Sequence, residues 1–246
     1  WQTALFVVLP AATPGIFAAV ILGISYEEVK QRHADGDEVV VTTRQFAKKP
    51  NFSLPGGAGP TRLQGMFKEE GIAISLDQAK QYKQAWLDTW AEARPYLERM
   101  SNETRMGETT ITQLRSGRIR GRVGYSDGLN SYFQGLTSDG AKAAMWQIQK
   151  ECYVLRSSPL FGARMVLFLH DEFILECREE NCDAVARRLK EIMISEMKKF
   201  LPDVPVDATP VAMRKWMKAL KPVYVDGKLV PSRSEKRDGK VVWVPD

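Results

Sequence analysis

Residues 166–176 read Val-Leu-Phe-Leu-His-Asp-Glu-Phe-Ile-Leu-Glu and form the most informative stretch of the chain. Two apolar runs, rich in β-branched and aromatic residues, flank the polar triplet His170, Asp171 and Glu172. Runs of this length and content predict two adjacent β-strands, so the triplet would lie at the tip of a tight hairpin. Because hard divalent cations prefer oxygen ligands, two carboxylates on such a tip form a candidate metal site. An ordinary polar turn is the alternative interpretation.

A second informative segment is basic. Arg44 and Lys48 are four residues apart, and Phe52 follows after another four. Residues at this spacing share one face of an α-helix, so two cations and an aromatic ring would lie together. Such a face suits a triphosphate, with the ring packed beside the base or sugar. The alternative is a basic helix face that only contacts solvent.

A third segment, residues 130–142, reads Asn-Ser-Tyr-Phe-Gln-Gly-Leu-Thr-Ser-Asp-Gly-Ala-Lys. Together the three segments resemble family A DNA polymerases in content, order and spacing. In this resemblance, residues 44–52 match the nucleotide-binding motif of the fingers, residues 130–142 match the Gln-Gly motif that opens a palm helix, and residues 170–172 match a metal-binding palm motif. The resemblance extends from about residue 18 to about residue 231 and is closest to a phage-type branch.

The resemblance implies an α+β fold, with a helical fingers subdomain and part of the antiparallel-sheet palm of a right-hand polymerase. It places the fingers in residues 1–110, of which residues 1–17 do not match the family. The C-terminal part of the palm would occupy residues 111–231, followed by a tail at residues 232–246. We therefore expect the chain to correspond to the C-terminal portion of a polymerase.

The resemblance also implies roles for single residues. The catalytic set would be Asp171, which binds Mg²⁺, Glu172, which assists it, and Lys48, which protonates the leaving pyrophosphate. Arg44, Lys48 and Phe52 would bind the dNTP. Contacts with primer–template DNA are expected from His170, Gln134, Asn130, Arg118 and Arg120.

Local patterns predict the order of the elements. Helices dominate the first hundred residues and a hairpin-based sheet follows, which is typical of an α+β architecture. The predicted elements are a buried helix at residues 18–23, a helix capped by Ser25, the basic helix at 44–52, a loop at 54–60, one long helix from Ser75 toward Met100, strands within 111–125, a helix at 138–156, a hairpin at 164–177, a helix at 181–201 and a mobile charged tail at 232–240.

Three features depart from the family pattern. The second metal-binding aspartate belongs to a motif upstream of the fingers, and residues 1–17 contain no acidic residue. Gly56 and Gly57 occupy the place of a family Tyr-Gly pair. Pro50 lies inside the basic helix, where proline removes a backbone hydrogen bond and costs about 3 kcal/mol. The helix is therefore expected to be kinked there, or the site damaged.

Composition is that of a soluble globular protein, with 44% hydrophobic and 26% charged residues among 246. The formal net charge is +5, and part of the excess is local. A run without acids carries Arg115, Arg118, Arg120 and Arg122, which suits phosphate neutralisation.

Residues 1–26 are uncharged, so a membrane span is one interpretation, but Pro10 and Pro14 interrupt the segment and favour a soluble chain. We expect no membrane partner and a cytoplasmic location in a bacterial or phage-infected cell. The odd count of three cysteines indicates a reducing compartment. A redox pair of Cys177 and Cys182 is conceivable, but the sequence offers no support for it.

The preferred function is that of a DNA-directed DNA polymerase fragment, which transfers a nucleotide from a dNTP to a primer 3′-hydroxyl by a two-metal mechanism. One alternative is a non-catalytic nucleic-acid-binding remnant. Another is half of a split polymerase that needs an upstream polypeptide for its second aspartate. A single-subunit RNA polymerase or an RNA-directed enzyme is a weaker alternative.

Overall fold

The structure, a computed structural model, describes residues 13–69, 71–169, 172–217, 220–237 and 240–246. Within these ranges the fold is α+β, as the resemblance implies. The α-helices are α1 (Thr13–Leu22), α2 (Tyr26–Ala34), α3 (Glu38–Ser53), α4 (Pro60–Lys68), α5 (Leu76–Thr89), α6 (Ala93–Glu103), α7 (Tyr125–Tyr153) and α8 (Cys182–Phe200).

The described strands pair as antiparallel hairpins. They are β1 (Thr109–Thr112) with β2 (Ile119–Val123), β3 (Arg164–Leu169) with β4 (Glu172–Glu176), β5 (Val223–Val225) with β6 (Lys228–Val230), and β7 (Ser232–Arg237) with β8 (Lys240–Pro245). The predicted strands within residues 111–125 and the predicted hairpin at 164–177 are confirmed.

Packing divides the described chain into two compact units, and the division falls inside α7 between Leu136 and Thr137. We refer to them as the N-terminal unit and the C-terminal unit. These units are defined by packing and not by role, so the assignment of residues 1–110 to fingers and 111–231 to palm stays a prediction.

The N-terminal unit has a helical core around α1. Phe17 and Ala18 are fully buried where α1 packs against α3. The small alanine side chain lets the two helices approach closely. Trp86 of α5 closes the same core. A helix is present where one was predicted at residues 18–23, but of these only Ala18 and Ala19 are buried, Val20 is 46% exposed, and the helix ends at Leu22. No helix in the described ranges is long and apolar enough to cross a membrane.

The C-terminal unit is built around α7 and α8. Ile148 and Cys152 of α7 are buried against Val185 and Ile192 of α8. The β3–β4 hairpin lies on this core through Phe173 and its neighbours. The amphipathic pattern of the predicted helix at residues 181–201 therefore corresponds to a real packing face.

The predicted single helix from residue 75 to residue 100 is two helices. Its start is as predicted, because Ser75 and Gln78 form a reciprocal capping box. However, α5 ends at Thr89 and α6 begins at Ala93. Pro95 explains the break, because proline clashes with the carbonyl four residues earlier but fits the first turn of a new helix.

Helix α7 begins at Tyr125, well before the predicted start at residue 138. Each glycine in a helix interior costs about 1 kcal/mol relative to alanine. Gly128 and Gly135 therefore weaken the helix signal of the sequence before residue 138. Tertiary packing compensates: a Cβ at Gly128 would lie 2.3 Å from Met100 Sδ, and one at Gly140 would lie 2.5 Å from Met197 Sδ. Both glycines are therefore positions of close packing.

The expectation of a mobile tail at residues 232–240 is wrong. Strands β7 and β8 pair in continuous register from Ser232 opposite Pro245 to Arg237 opposite Lys240. The Val-Val-Trp-Val run at residues 241–244 has high strand propensity, which the charged first half concealed. Ser232 is buried, and its single O–H is shared between the Ala212 and Lys221 carbonyl oxygens, which lie 3.3 and 3.2 Å from its Oγ.

Candidate nucleotide and nucleic-acid site

The basic residues of the predicted nucleotide site lie on α3. Asp37 caps this helix by accepting hydrogen bonds from the backbone N–H groups of residues 39 and 40. The helix continues to Ser53, so Arg44, Lys48 and Phe52 occupy successive turns of one face. All three side chains are half-buried. The structure therefore places them together, while their contact with a nucleotide stays a prediction.

His33 of α2 positions Arg44. An Nη1–H of Arg44 lies 3.2 Å from His33 Nε2. Since a guanidinium group cannot accept a hydrogen bond, His33 must present an unprotonated Nε2 to make this bond. The contact orients the guanidinium group. A neutral imidazole adds no negative charge beside it, whereas a carboxylate partner would.

Helix α3 is anchored to the core of the N-terminal unit through Asn51. Its Nδ2 donates to the Ala47 carbonyl at 2.9 Å, and its Oδ1 accepts from Trp86 Nε1 at 2.9 Å. Asn51 is only 2% exposed, so this motif residue serves packing. Pro50 is also buried, and the α-helix is continuous through it up to Ser53. Proline has thus not ended the helix.

The loop after α3 lies directly against the start of α7. A Cβ added to Gly56 would be 2.8 Å from Asn130 Oδ1, and one added to Gly57 would be 2.6 Å from Tyr125 Cε1. Gly57 also has a φ of +82°, which L-residues rarely adopt. This contact places the loop that follows the basic segment, residues 44–52, against Asn130 of the third segment. A larger residue at position 56, such as tyrosine, would require the Asn130 side chain to move.

Asn130 and Gln134 share one face of α7. Asn130 Nδ2 donates to the Ser126 carbonyl at 2.9 Å, and Gln134 Nε2 lies 3.5 Å from Asn130 Oδ1. The next residue, Gly135, is buried because Gln113 packs on it: a Cβ there would be 2.2 Å from Gln113 Oε1. The glycine of the Gln-Gly segment is therefore a contact point between α7 and the β1–β2 hairpin.

The arginine cluster lies on the β1–β2 hairpin. Arg118 and Arg120 are exposed, as the prediction of phosphate contacts requires. Arg120 donates to Ser131 Oγ and lies 3.8 Å from Asp127 Oδ1, so it fastens the hairpin to α7. Ion pairs this exposed contribute little to stability, and phosphate contact by Arg120 stays a prediction.

The β3–β4 hairpin leaves two residues for its tip. Leu169 pairs with Glu172, and the Phe168 and Phe173 rings stack with centroids 4.6 Å apart. His170 and Asp171 themselves lie outside the described residues. Glu172 is exposed at the start of β4. Among the described residues no group of three His, Cys, Asp or Glu side chains could hold a metal ion.

His33, Gln113 and Tyr96 hold Arg44 and helix α7 in place, but no sequence pattern indicates these roles. Tyr96 lies under α7, where its hydroxyl donates to the Leu129 carbonyl at 2.5 Å and burial raises its pKa. Each of these contacts joins residues between 11 and 33 positions apart. The glycine at position 36 is a local indication of the His33–Arg44 contact, because its φ of +77° allows the turn that folds α2 back onto α3.

The order of these segments on an α+β fold is that of a template-directed polymerase, and comparison with known proteins identifies the family. A family model described as DNA polymerase family A matches residues 26–218, a range that includes all three segments. The chain therefore belongs to DNA polymerase family A.

Curated relatives agree with this assignment. DNA polymerase I of Helicobacter pylori (strain ATCC 700392 / 26695) is 27% identical over 190 residues, which cover 74% of this chain and 20% of that protein. DNA polymerase I of Aquifex aeolicus is 27% identical over 203 residues, covering 82% and 33% respectively. The thermostable DNA polymerase I of Thermus aquaticus is 28% identical over 160 residues, covering 61% and 18%. The chain thus spans about a fifth to a third of the length of these relatives.

Proposed function

We propose that this chain carries the nucleotide-binding and primer–template-binding part of a DNA-directed DNA polymerase. The observation that supports this most is the contact of Gly56 with Asn130, which places the loop after the basic segment against the third family segment within the N-terminal unit. In this proposal the fingers comprise residues 1–110 and the palm comprises residues 111–231. The reaction is transfer of a nucleotide from a dNTP to a primer 3′-hydroxyl.

The nucleotide is bound by the face of α3 that carries Arg44, Lys48 and Phe52, whose side chains are half-buried. Arg44 and Lys48 bind the β- and γ-phosphates through charge-assisted hydrogen bonds, and Phe52 packs on the sugar and base. Lys48 also donates a proton to the departing pyrophosphate. His33 supports this role, because its hydrogen bond orients Arg44 before the nucleotide arrives.

Primer–template DNA is bound by α7 and the β1–β2 hairpin. Asn130 and Gln134 meet the duplex near its minor groove, and His170 contacts the primer end. Arg118 and Arg120 bind phosphates. Because both arginines are exposed, their contribution is expected to weaken steeply with salt.

Mg²⁺ is the proposed cofactor, with Asp171 as a ligand and Glu172 assisting it. Among the described residues, Glu172 does not lie in a group of three His, Cys, Asp or Glu side chains that could hold a metal ion. These residues alone therefore do not form a complete two-metal site. The proposal therefore requires a further carboxylate, which an upstream polymerase polypeptide would supply in a split arrangement. The same observation keeps a non-catalytic nucleic-acid-binding role as the second candidate.

Primer extension with Mg²⁺ tests this proposal. The 246-residue chain is assayed alone and after mixing with the upstream part of a family A polymerase. We expect extension only in the mixture, and loss of that extension with Asp171→Ala. Extension by the chain alone would contradict the need for a second polypeptide. DNA binding without extension in either sample would favour the non-catalytic role.

A further inference from the structure

Two thiols meet at the base of the β3–β4 hairpin. Cys177 directly follows β4, and Cys182 is the first residue of α8. A short 3₁₀ turn, Glu179–Asn181, folds the chain back between them, and the Asn181 N–H donates to the Arg178 carbonyl at 3.0 Å. This turn brings the two side chains near enough to interact, while both remain free thiols.

The contact makes the two cysteines chemically different. The hydrogen bond from Cys182 lowers the pKa of Cys177 from 9.0 to about 7, against opposing effects of burial and of Glu180. The same bond, together with burial, raises the pKa of Cys182. The charged groups around the pair are Glu179 with its partner Arg214, Glu180 with Arg178, and Asp183 with Arg187.

Exposure separates the pair from the third cysteine. Cys177 is exposed and Cys182 is half-buried, whereas Cys152 lies in the core between α7 and α8 with 1% of its surface exposed. Burial also raises the pKa of Cys152. Since the thiolate is the nucleophilic form, reactivity is concentrated at Cys177. Cys152 provides an internal reference for an unreactive structural thiol.

We propose that Cys177 and Cys182 form a reactive dithiol that low-molecular-weight disulfides convert to an intramolecular disulfide. The thiolate of Cys177 attacks one sulfur of the small disulfide, forms a mixed disulfide and expels one small thiolate. Cys182 then loses its proton to solvent and attacks the Cys177 sulfur, which forms the protein disulfide and releases the second small thiolate. The protein loses two electrons and two protons, and the small disulfide is reduced to two thiols.

The new bond would link the end of β4 to the start of α8. Without it, the end of β4 and the start of α8 are joined by the short turn, while Phe173 packs on the core formed by α7 and α8. Oxidation would therefore tie the strand that follows the hairpin tip to the helix that supports the core of the C-terminal unit. The site makes no use of the proposed nucleotide-binding or DNA-binding residues.

The test uses the reduced 246-residue chain and oxidised glutathione. Intact-mass measurement and peptide mapping follow which cysteines react, across a range of pH. We expect a Cys177–Cys182 disulfide in the wild type and in the Cys152→Ser control. Cys182→Ala should stop at a glutathione adduct on Cys177. Its rate at pH 7 should be roughly three-fold below the wild-type rate, because the thiolate fraction falls about 16-fold at an ordinary pKa near 8.5 while the more basic thiolate is about five-fold more nucleophilic.

The reaction of the wild-type chain with oxidised glutathione tests the proposed dithiol without relying on a variant. A Cys177–Cys182 bond whose rate of formation is half-maximal near pH 7 supports the proposal. A stable mixed disulfide on Cys177, or modification of Cys152 before Cys177, would refute it. Protection of Cys152 in the wild type and in Cys182→Ala also verifies that the C-terminal unit remains folded.

Discussion

Replacing Glu151 with glutamine should destabilise the C-terminal unit by roughly 2–3 kcal/mol at neutral pH. Glu151 lies on α7 and is only 2% exposed. Its carboxylate accepts hydrogen bonds from Arg188 Nε at 2.9 Å and Nη2 at 2.6 Å, which join α7 to α8. Ser158 Oγ and Gln147 Nε2 also donate to it, at 2.7 and 2.8 Å. Glutamine keeps the size of the side chain but loses the charge that these donors stabilise.

The pKa of Glu151 supplies the magnitude. The hydrogen bonds from Arg188, Ser158 and Gln147 together lower it from 4.5 to about 2, despite an opposing effect of burial. A difference of about 2.5 units corresponds to roughly 3 kcal/mol at 1.36 kcal/mol per unit, which is an upper value. Because the folded-state pKa is below that of the unfolded chain, this stability is present above about pH 4.5 and is lost as the pH falls toward 2.

Urea unfolding at several pH values, with amide hydrogen exchange of α8, measures this effect. Glu191→Gln is the matched control, because Glu191 pairs with the same Arg188 at 2.9 Å but its side chain is 63% exposed. The control should cost under about 1 kcal/mol. Equal losses for both variants, or a wild-type advantage over Glu151→Gln that persists at pH 2, would refute the reasoning.

Three further predictions concern the proposed polymerase site. Lys48→Ala should weaken dNTP binding roughly ten-fold or more in calorimetry, whereas Lys49→Ala should not, because Lys49 Nζ is hydrogen-bonded to the Met66 carbonyl at 3.2 Å; equal effects would contradict the α3 face. Neutralising Arg118 and Arg120 together should reduce the slope of log DNA affinity against log salt by about two units, and an unchanged slope would exclude phosphate contacts. Asp171→Ala should abolish Mn²⁺ binding measured by paramagnetic broadening, and retained binding would place the metal elsewhere.

Local patterns predicted the parts of the fold that depend on neighbouring residues. The capping residues Ser25 and Ser75 begin helices as expected, since an N-cap hydrogen bond spans only three positions. The i, i+4 spacing of Arg44 and Lys48 likewise corresponds to one face of α3. The two apolar runs of residues 166–176 predicted two adjacent strands, which are β3 and β4. Glu172, which was expected at the hairpin tip, is instead the first residue of β4. The placement of the tip residues themselves stays a prediction.

The sequence-based predictions were wrong or incomplete where contacts between distant residues outweigh the local preference for helix or loop. Helix α7 includes three glycines within residues 125–140, each of which disfavours a helix locally. Packing on Met100, Gln113 and Met197 favours the helix instead. The N-terminal contact of Arg44 with His33 depends on a turn between two helices, and no periodicity in either helix indicates it.

The glycines also determine how the proposed site can change. Gly56 and Gly135 carry no functional group, yet Gly56 sets how closely the loop after α3 approaches Asn130, and Gly135 sets how closely Gln113 approaches α7. A larger residue at either position would have to displace the side chain it meets, and Asn130 Oδ1 is also the group that Gln134 Nε2 approaches. The proposed DNA-binding face of α7 therefore depends on two residues that contact no ligand. This is why a family tyrosine is incompatible with position 56 unless the Asn130–Gln134 pair rearranges.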